Sequence, residues 1–303
     1  MTVLTVTPYE PRYRQKILDL FYRAYQVHLH LDWYTAEQWL DRSSEIVRLA
    51  WDDRTLVGVI GAAQPLNATS WLRLLLLRDR ATAHTVLLAL WESIRTALAQ
   101  AGVRSTWLLL SNESLTDEVR SMGFEQEEWV VTLRRHGMDF PEPVATKVEI
   151  KPLELDLIQR VAEVDQTAFA PPWQLSASDL YQAVRLSDDA TCAWLNDDIV
   201  GYQLSTRYRD TGHLARLAVL PQLQGNGIGG ALVRQMIASF LRQHVTTITV
   251  NTQQTNLQSQ RLYQYYGFER NHFDLPVWKI DLRSPDEADS SLPLENGRHT
   301  DRE

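Results

Sequence analysis

A short glycine-rich stretch has the clearest chemical potential in this sequence. It consists of Gln224, Gly225, Asn226, Gly227, Ile228, Gly229 and Gly230. The chain has only 13 glycines, about 4% of its residues against a typical ~7%, and four of the 13 lie here. Glycine has no Cβ and tolerates positive φ, so it lets backbone N–H groups converge on a ligand. The loop is therefore suited to binding a phosphate group.

The residues on either side of this loop indicate the elements that must hold it. An apolar run at residues 214–219 predicts a strand before it, and apolar residues at helical spacing over 231–241 predict a helix after it. The first turn of a helix favours a phosphate or pyrophosphate. A dinucleotide-binding fold would need an acidic residue at the end of the next strand, which here ends with Val250 and Asn251. No Gly-Lys-Ser/Thr follows, which excludes a P-loop.

Composition narrows the class of protein. The net charge of −8 and the pI of about 5.5 argue against a nucleic-acid partner. The single cysteine, Cys192, cannot form an internal disulfide, and its apolar neighbours favour a core position over a nucleophile. No signal-like segment and no apolar run near the ~20 residues of a membrane span occur in the sequence. We therefore expect a cytoplasmic protein without membrane contact.

The sequence contains an internal repeat. Its markers are separated by 143 or 144 positions: Gly58 with Gly201, Gly123 with Gly267, and Asn112 with Asn256. A shared offset indicates two copies of one fold. We predict a first domain at residues 1–138, a linker at 139–146, a second domain at 147–283 and a disordered acidic tail at 284–303.

Each copy is predicted to be α/β, in the α+β sense, with a mixed and mostly antiparallel twisted sheet flanked by helices. In the second copy, helices are expected at 155–169, 176–186, 231–241 and 256–266. Strands are expected at 147–151, 213–219, 246–251 and within 268–282, with a hairpin around residues 195–201. The glycine-loop helix should join a parallel pair of strands.

The second copy resembles the GCN5-related N-acetyltransferase (GNAT) family. That family has Gln/Arg-x-x-Gly-x-Gly/Ala between its fourth strand and the following helix, and Gln224 begins the same pattern here. A second family signature is an asparagine, then a tyrosine seven positions on, then Gly-Phe. Here it is formed by Asn256, Tyr263, Gly267 and Phe268. The first copy matches by the order of its elements only.

The resemblance implies that the chain binds acetyl-coenzyme A. The pyrophosphate would lie on the amides of residues 224–230, and the pantetheine arm would pair with the backbone of Leu217, Ala218 and Val219. A backbone N–H on that strand would stabilise the oxyanion, an effect worth roughly 3–4 kcal/mol. Asn256 would contact the pantetheine arm, although an asparagine that opens a helix also serves as an N-cap.

The resemblance also implies roles in catalysis and in acceptor binding. Tyr263 would protonate the departing thiolate, and a core tyrosine is the alternative. The general base is open between His213, a water relay and an acceptor that is already deprotonated. In the family, the acceptor site forms partly from the loop between the first two helices, which makes Phe169 and Trp173 candidate substrate-binding residues. No residue set predicts a metal site.

The acceptor class and the oligomeric state stay open. The acceptor would be the amine of a small molecule or of a peptide N-terminus. Phe169 through Trp173 resembles protein N-terminal acetyltransferases, whereas the tandem arrangement is similar to that of mycothiol synthases. A monomer and a homodimer are both compatible with the sequence. The alternative function is a non-catalytic acyl-coenzyme A sensor or partner module.

The first copy lacks the residues that this chemistry would need. The glycine loop maps to residues 80–85, which contain no glycine, and Tyr263 maps to Val119. We therefore expect the first copy to keep the fold without acetyl transfer and to shape the acceptor cleft. Its segment at residues 28–34 contains His28, His30 and Asp32, and a surface loop is the preferred interpretation over a metal site.

Overall fold

The computed structural model describes residues 4–42, 46–143 and 145–282. The predicted tail at 284–303 and residue 283 lie outside this range. In the first half the elements are β1 (Leu4–Pro8), α1 (Arg14–Phe21), β2 (Gln26–Leu29), α2 (Ala36–Arg42), β3 (Val47–Asp52), β4 (Thr55–Ala62), β5 (Thr69–Leu77), α3 (Ala83–Gln100), β6 (Ser105–Leu109), α4 (Thr116–Ser121) and β7 (Glu125–His136). In the second half they are β8 (Glu149–Pro152), α5 (Ile158–Ala168), α6 (Ala177–Leu186), β9 (Asp189–Leu195), β10 (Asp198–Tyr208), β11 (Thr211–Val219), α7 (Ile228–Arg242), β12 (Thr247–Gln253), α8 (Leu257–Tyr265), β13 (Glu269–Arg270) and β14 (Leu275–Asp281).

The strands form one mixed sheet that runs through both halves. Its order is β1-β3-β4-β5-β6-β14-β7-β12-β11-β10-β9-β8, with β2 and β13 pairing off this path with β5 and β7. Among the described strands, only β5 with β6 and β11 with β12 are parallel. Parallel neighbours need a crossover connection, which α3 and α7 provide. The predicted mixed, mostly antiparallel sheet flanked by helices is confirmed.

The two halves exchange their final strands. β14, from the second half, pairs with β6 of the first half, where Val277 lies opposite Leu109. β7, from the first half, pairs with β12 of the second half, where Val130 lies opposite Gln253. β7 and β14 also pair with each other. Each half therefore needs a strand of the other to complete its sheet.

One long helix packs an apolar face on each half of the sheet. The buried residues of α3 recur at helical spacing and include Val86, Leu87, Leu90, Trp91, Ile94 and Leu98. Those of α7 include Leu232, Val233, Met236, Ile237 and Phe240. Each such side chain contributes roughly 1.5–3 kcal/mol when it is fully buried. This packing fixes the loop that enters each helix, which in the second half is the glycine loop.

The strand β2 corrects part of the prediction of a surface loop at residues 28–34, because residues 28 and 29 belong to the strand, whereas residues 30–34 lie in no helix or strand. β2 pairs with the edge of β5, and His28 is only 2% exposed. Gln26 and His28 are the buried residues of this strand, while Leu29 is exposed. A strand whose polar residues point inward reverses the usual alternation, so the pattern did not predict it.

We expect His28 to contribute to the pH dependence of folding. Burial, together with the neighbouring His30 and Arg73, lowers the pKa of His28 to about 4. The unfolded chain binds a proton near pH 6.5, so stability from this residue is present above pH 6.5 and lost as the pH falls towards 4. The loss is on the order of 3 kcal/mol. His28→Leu should flatten the fall in unfolding free energy between pH 6.5 and 4, measured by denaturant titration.

The exposed His84 of α3 provides the matched control. His84→Leu should leave the pH dependence of the unfolding free energy as it is in the parent protein. An unchanged slope in His28→Leu would show that His28 does not titrate as its burial requires.

Candidate active site

The central cleft of the second half opens where its two parallel strands separate. β11 and β12 pair only as far as Leu214 and Val250. β11 continues to Val219, paired on its other side with β10. The edge of residues 215–219 that faces β12 is therefore without a neighbouring strand, and an extended ligand can reach its backbone.

The register of β10 and β11 decides which backbone groups face this cleft. The N–H of Leu220 donates to the carbonyl of Val200 at 2.9 Å. Hydrogen-bonded pairs alternate along an antiparallel ladder, so Ala218 also directs its backbone groups to β10. The N–H and C=O groups of Leu217 and Val219 consequently point into the cleft. An extended chain could pair with them as an added strand does.

The glycine loop presents a row of free amides at the end of this strand. Gly225 and Gly227 have φ values of +80° and +77°, a left-handed conformation that glycine adopts without strain. Within the described residues, no backbone N–H of residues 225–230 donates to another group. Because α7 begins at Ile228, the last of these amides belong to the positive end of a helix. This arrangement favours a phosphate or pyrophosphate.

Two side chains hold the loop in this shape. Gln224 donates from Nε2 to the carbonyl of Val219 at 3.1 Å. Asn226 donates from Nδ2 to the carbonyl of Leu223 at 3.1 Å. Gln224 thus ties the loop to the end of β11 and occupies the Val219 carbonyl, which leaves the Leu217 carbonyl and the two N–H groups for a ligand.

A cavity of about 530 Å³ lies along the strand edge and the loop. Its lining includes residues predicted to bind the cofactor, namely Leu217, Ala218, Val219, Gln224, Gly225, Gly227, Ile228, Gly229, Gly230 and Asn256. Asn226 does not line it. The exchanged strand β7 adds Glu128 to the wall, and Glu128 accepts the Thr255 N–H at 3.1 Å. The first half therefore helps to order the turn that precedes Asn256.

Asn256 caps the helix α8. Its Oδ1 accepts the N–H of Ser259 at 3.1 Å, as an N-cap residue does. Its Nδ2 group makes no hydrogen bond with the described part of the chain, and the residue lines the cleft. The cap and the ligand-binding role are therefore compatible in one side chain.

Tyr263 lies on the buried side of α8. Its side chain is 4% exposed, contacts the ring of Phe268 at 5.9 Å between centroids and lines the second cavity described below. Burial raises the pKa of Tyr263, and a hydrogen bond with Ser259 opposes this only in part. The phenol therefore keeps its proton at any ordinary pH, as a proton donor must.

His213 lies on β11, opposite Thr249 of β12. Its Nδ1 is 2.8 Å from the Thr249 hydroxyl oxygen, and that hydroxyl can donate to the Gly212 carbonyl at 3.4 Å. With the hydroxyl proton so placed, Nδ1–H donates to Thr249, and Nε2 keeps a free lone pair. Burial lowers the pKa of His213, which keeps the ring neutral and able to accept a proton.

A second cavity, of about 870 Å³, lies between the two halves. It meets the first one at six shared residues: Phe169, Trp173, Leu217, Gln253, Asn256 and Ser259. His213 and Tyr263 line it from the second half. His30, Asp32 and Arg73 line it from the first half, and the sequence did not identify them as site residues.

A buried ion pair holds the segment that carries Phe169 and Trp173. Asp165 is fully buried, and its Oδ2 accepts two bonds from Arg216, at 2.9 and 2.7 Å, and one from Tyr202. Arg216 also donates to the Trp173 carbonyl at 2.6 Å and stacks on Phe169, with 3.7 Å from Cζ to the ring centroid. This network was not predicted. The sequence feature that could have indicated this network is Asp165, a carboxylate on the apolar face of the helix α5.

The first half fills its own equivalent of the cofactor cleft. β5 and β6 separate after Trp71, but β2 then pairs with β5 and covers the edge that is open in the second half. Asn112 corresponds to Asn256, and its Nδ2 donates to the side chain of Gln26 at 3.4 Å. Val119, in the place of Tyr263, is buried in α4. The backbone edge that would receive a ligand is thus already satisfied.

Neither a metal cluster nor a membrane-spanning helix is found in residues 4–42, 46–143 and 145–282. No group of three or more potential metal-ligating side chains occurs there. No helix within those ranges combines the length and the hydropathy that crossing a bilayer requires.

Comparison with known proteins is consistent with this geometry. Residues 158–268 match the profile of the acetyltransferase (GNAT) family. A [ribosomal protein bS18]-alanine N-acetyltransferase of Haemophilus influenzae is 25% identical over 132 residues, which cover 42% of this chain and 88% of that protein. A mycothiol acetyltransferase of Acidimicrobium ferrooxidans is 22% identical over 280 residues, which cover 82% of this chain and 89% of that protein.

A solved structure extends the similarity of fold to both halves. A tandem GNAT protein from the clavulanic acid biosynthesis pathway superposes with a TM-score of 0.64 at 13% identity, covering 93% of this chain and 99% of that one. In the second half, the diverging strands, the glycine loop and the helix α8 together form an open cleft. Residues 158–268, in the second half, match the GNAT acetyltransferase family, and the whole chain has the fold of a tandem GNAT protein.

Proposed function

We propose that this chain is an acetyl-coenzyme A-dependent N-acetyltransferase that transfers an acetyl group directly to a primary amine. One observation carries the proposal. The cavity along the free amides and the cavity between the halves meet at Leu217, and the second of these also contains Tyr263 and His213. A donor and an acceptor can therefore reach each other without leaving the protein.

The residues of the first cavity fit coenzyme A. The free amides of residues 225–230 suit its pyrophosphate, and the cleft-facing groups of Leu217 and Val219 suit the amide-rich pantetheine arm. The Nδ2 group of Asn256 is a further donor to that arm. When bound, acetyl-coenzyme A supplies the acetyl group as a thioester, whose C–S bond breaks as the bond to the amine nitrogen forms.

The residues of this chain have four roles in that transfer. A backbone N–H on β11, for which Leu217 is the best placed, donates to the carbonyl oxygen on which negative charge develops. One such preorganised donor is worth roughly 3–4 kcal/mol. His213 accepts the amine proton at Nε2, and Tyr263 delivers its phenolic proton to the leaving sulfur. Phe169 and Trp173 border the acceptor where the two cavities meet.

The position of the single cysteine supports direct transfer. Cys192 is fully buried in the sheet, and burial raises the pKa of its thiol. Its sulfur accepts the indole N–H of Trp194 at 3.1 Å, and it lines neither cavity. An acetyl group therefore has no thiolate to occupy on its way to the amine.

The proposal is tested by thiol release from acetyl-coenzyme A in the presence of primary amines and peptides. Amine-dependent release with a matching acetylated product is the expected result. Cofactor binding without release to any amine would instead identify a non-catalytic acyl-coenzyme A-binding module.

Gly227→Trp should lower the affinity for acetyl-coenzyme A at least 100-fold in a calorimetric titration. Gly227 is the N-cap of α7 with φ +77°, so an indole there would crowd the amides that bind pyrophosphate. Gly102→Trp is the matched control, because Gly102 has φ +78° and open space around it. Unchanged affinity in a folded Gly227→Trp protein would refute this placement of the pyrophosphate.

A further inference from the structure

The first half contributes an ionic cluster to the wall of the second cavity, where the acceptor is proposed to bind. The cluster consists of His30 and Asp32, which follow directly from β2, and of Arg73, which lies on β5. Arg73 donates to His30 Nδ1 at 2.9 Å and forms an ion pair with Asp32 Oδ2 at 2.5 Å. His30 Nε2 lies 3.1 Å from Asp32 Oδ1. Because Nδ1 accepts from Arg73, Nε2 carries the proton and donates to Asp32.

Asp32 presents the most accessible charge of this wall. Its side chain is 28% exposed, against 11% for Arg73 and 13% for Arg216. An ionised carboxylate has about four lone-pair positions, and His30 and Arg73 use two of them. Burial opposes ionisation of Asp32, but Arg73, His30 and Arg216 outweigh it and hold its pKa well below the usual range. Asp32 is therefore a charged group with acceptor capacity to spare.

The two guanidinium groups of the cavity are already committed. Arg216 is bound to Asp165 and to the Trp173 carbonyl. Arg73 is bound to Asp32 and to the ring and carbonyl of His30. Asp32 is also the one carboxylate among the residues that line this cavity. An acidic end group would thus meet Asp32 unfavourably, and a hydrogen-bond donor would be attracted.

Contacts between the two halves hold the walls of this cavity together. The loop and helix beside the acceptor site are hydrogen-bonded to the first half by several pairs: Trp71 to the Pro172 carbonyl, Tyr34 to Asp179, Arg42 to Ser178, Asn67 to Gln174 and Gln182 to the Trp33 carbonyl. The indoles of Trp71 and Trp173 contact each other edge to face, with centroids 5.1 Å apart. A volume of about 870 Å³ bordered in this way has the size of a small-molecule site.

We propose that Asp32 binds a hydrogen-bond donor group, an ammonium or a hydroxyl, that a small-molecule amine carries at a distance from the nitrogen to be acetylated. This inference rests on the proposed acetyl transfer. The half without a working cofactor cleft then determines which acceptor the other half modifies. Asp32 is a specificity-determining residue, with Arg73 and His30 as its positioning residues.

The test compares primary amines of three to eight carbons whose far end is methyl, hydroxyl, ammonium or carboxylate. Wild-type kcat/KM, from thiol release, should be at least tenfold higher for hydroxyl or ammonium ends than for methyl ends, and lowest for carboxylate. The hydroxyl and ammonium series show which donor is preferred. Asp32→Asn should lower this ratio of kcat/KM values at least tenfold, mainly by raising the KM for the hydroxyl and ammonium amines. The Kd for acetyl-coenzyme A should stay within twofold of the wild-type value.

Two further variants, Asp32→Glu and Asp41→Asn, are compared with Asp32→Asn. Asparagine still accepts a bond from Arg73 and tolerates the positive φ of 51° at this position, so Asp32→Asn should fold. Asp32→Glu keeps the charge and should retain part of the preference. Asp41→Asn is the control, because it removes a carboxylate that pairs with Arg14 on the exposed surface.

The outcomes separate this inference from the proposed function. Equal kcat/KM for all end groups in wild type, or a preference unchanged in Asp32→Asn, would overturn the role of Asp32 while acetyl transfer stands. Transfer to peptide N-termini but to none of these amines would overturn the small-molecule acceptor. Failure to bind acetyl-coenzyme A would contradict the proposed function itself.

Discussion

Replacing Tyr263 by phenylalanine should lower kcat roughly 100-fold and leave the Kd for acetyl-coenzyme A within twofold of the parent. General acid catalysis contributes typically 10²–10⁴-fold, and the variant removes only the hydroxyl group. The side chain is buried in α8 and faces the cavity where His213 and Leu217 also lie. Steady-state thiol release and calorimetric binding measure the two quantities.

A matched control is available on the same helix. Tyr265 is 66% exposed, so Tyr265→Phe removes the same hydroxyl without touching the cavity and should leave kcat unchanged. Because burial raises the pKa of Tyr263, wild-type kcat should show no fall at high pH below the range of an ordinary phenol. An undiminished kcat in Tyr263→Phe would remove this residue from the mechanism.

Asp165→Asn should lower the free energy of unfolding by about 3–5 kcal/mol, the cost of leaving a buried charge without its partner. The cation left behind is Arg216, whose guanidinium donates two bonds to the carboxylate. Asp165 also accepts the Leu175 N–H at 2.8 Å. The segment that carries Phe169 and Trp173 should therefore become less ordered as well. Denaturant unfolding measures the first effect, and the KM for the acceptor measures the second.

The comparison with an exposed ion pair isolates the effect of burial. Glu149 pairs with Lys151 at 2.9 Å with both side chains largely exposed, and Glu149→Gln should cost less than about 1 kcal/mol. Arg216→Lys keeps the charge but cannot reproduce the forked geometry, and it should raise the acceptor KM in a protein that stays folded. Equal losses for Asp165→Asn and Glu149→Gln would contradict the structural role of Asp165.

The parts of the candidate site that the sequence predicts are those encoded in local sequence. The glycine loop, Asn256 and Tyr263 lie within 40 residues of one another, and each has a distinctive residue type. Their placement on one strand end and one helix follows from hydrophobic periodicity. The fold class could be predicted for the same reason, since the two copies repeat the same order of elements.

The parts that could not be predicted depend on distant pairing. The exchange of β7 and β14 joins strands that are far apart in sequence. The sequence pattern of neither strand indicates which strand it pairs with. The sequence did not predict that β2 covers the edge of β5 in the first half, because the inward-facing residues of β2, Gln26 and His28, are polar. Asp32 and Arg73 lie 41 positions apart in the half that lacks the catalytic motifs, so only the folded chain brings them together.

We propose that this chain has one working acetyl-coenzyme A site, in its second half. The most direct test is the stoichiometry of acetyl-coenzyme A binding in a calorimetric titration of the full chain. The open edge of β11 and the β2-filled edge of β5 predict one molecule per chain. Two molecules per chain, or none, would contradict it.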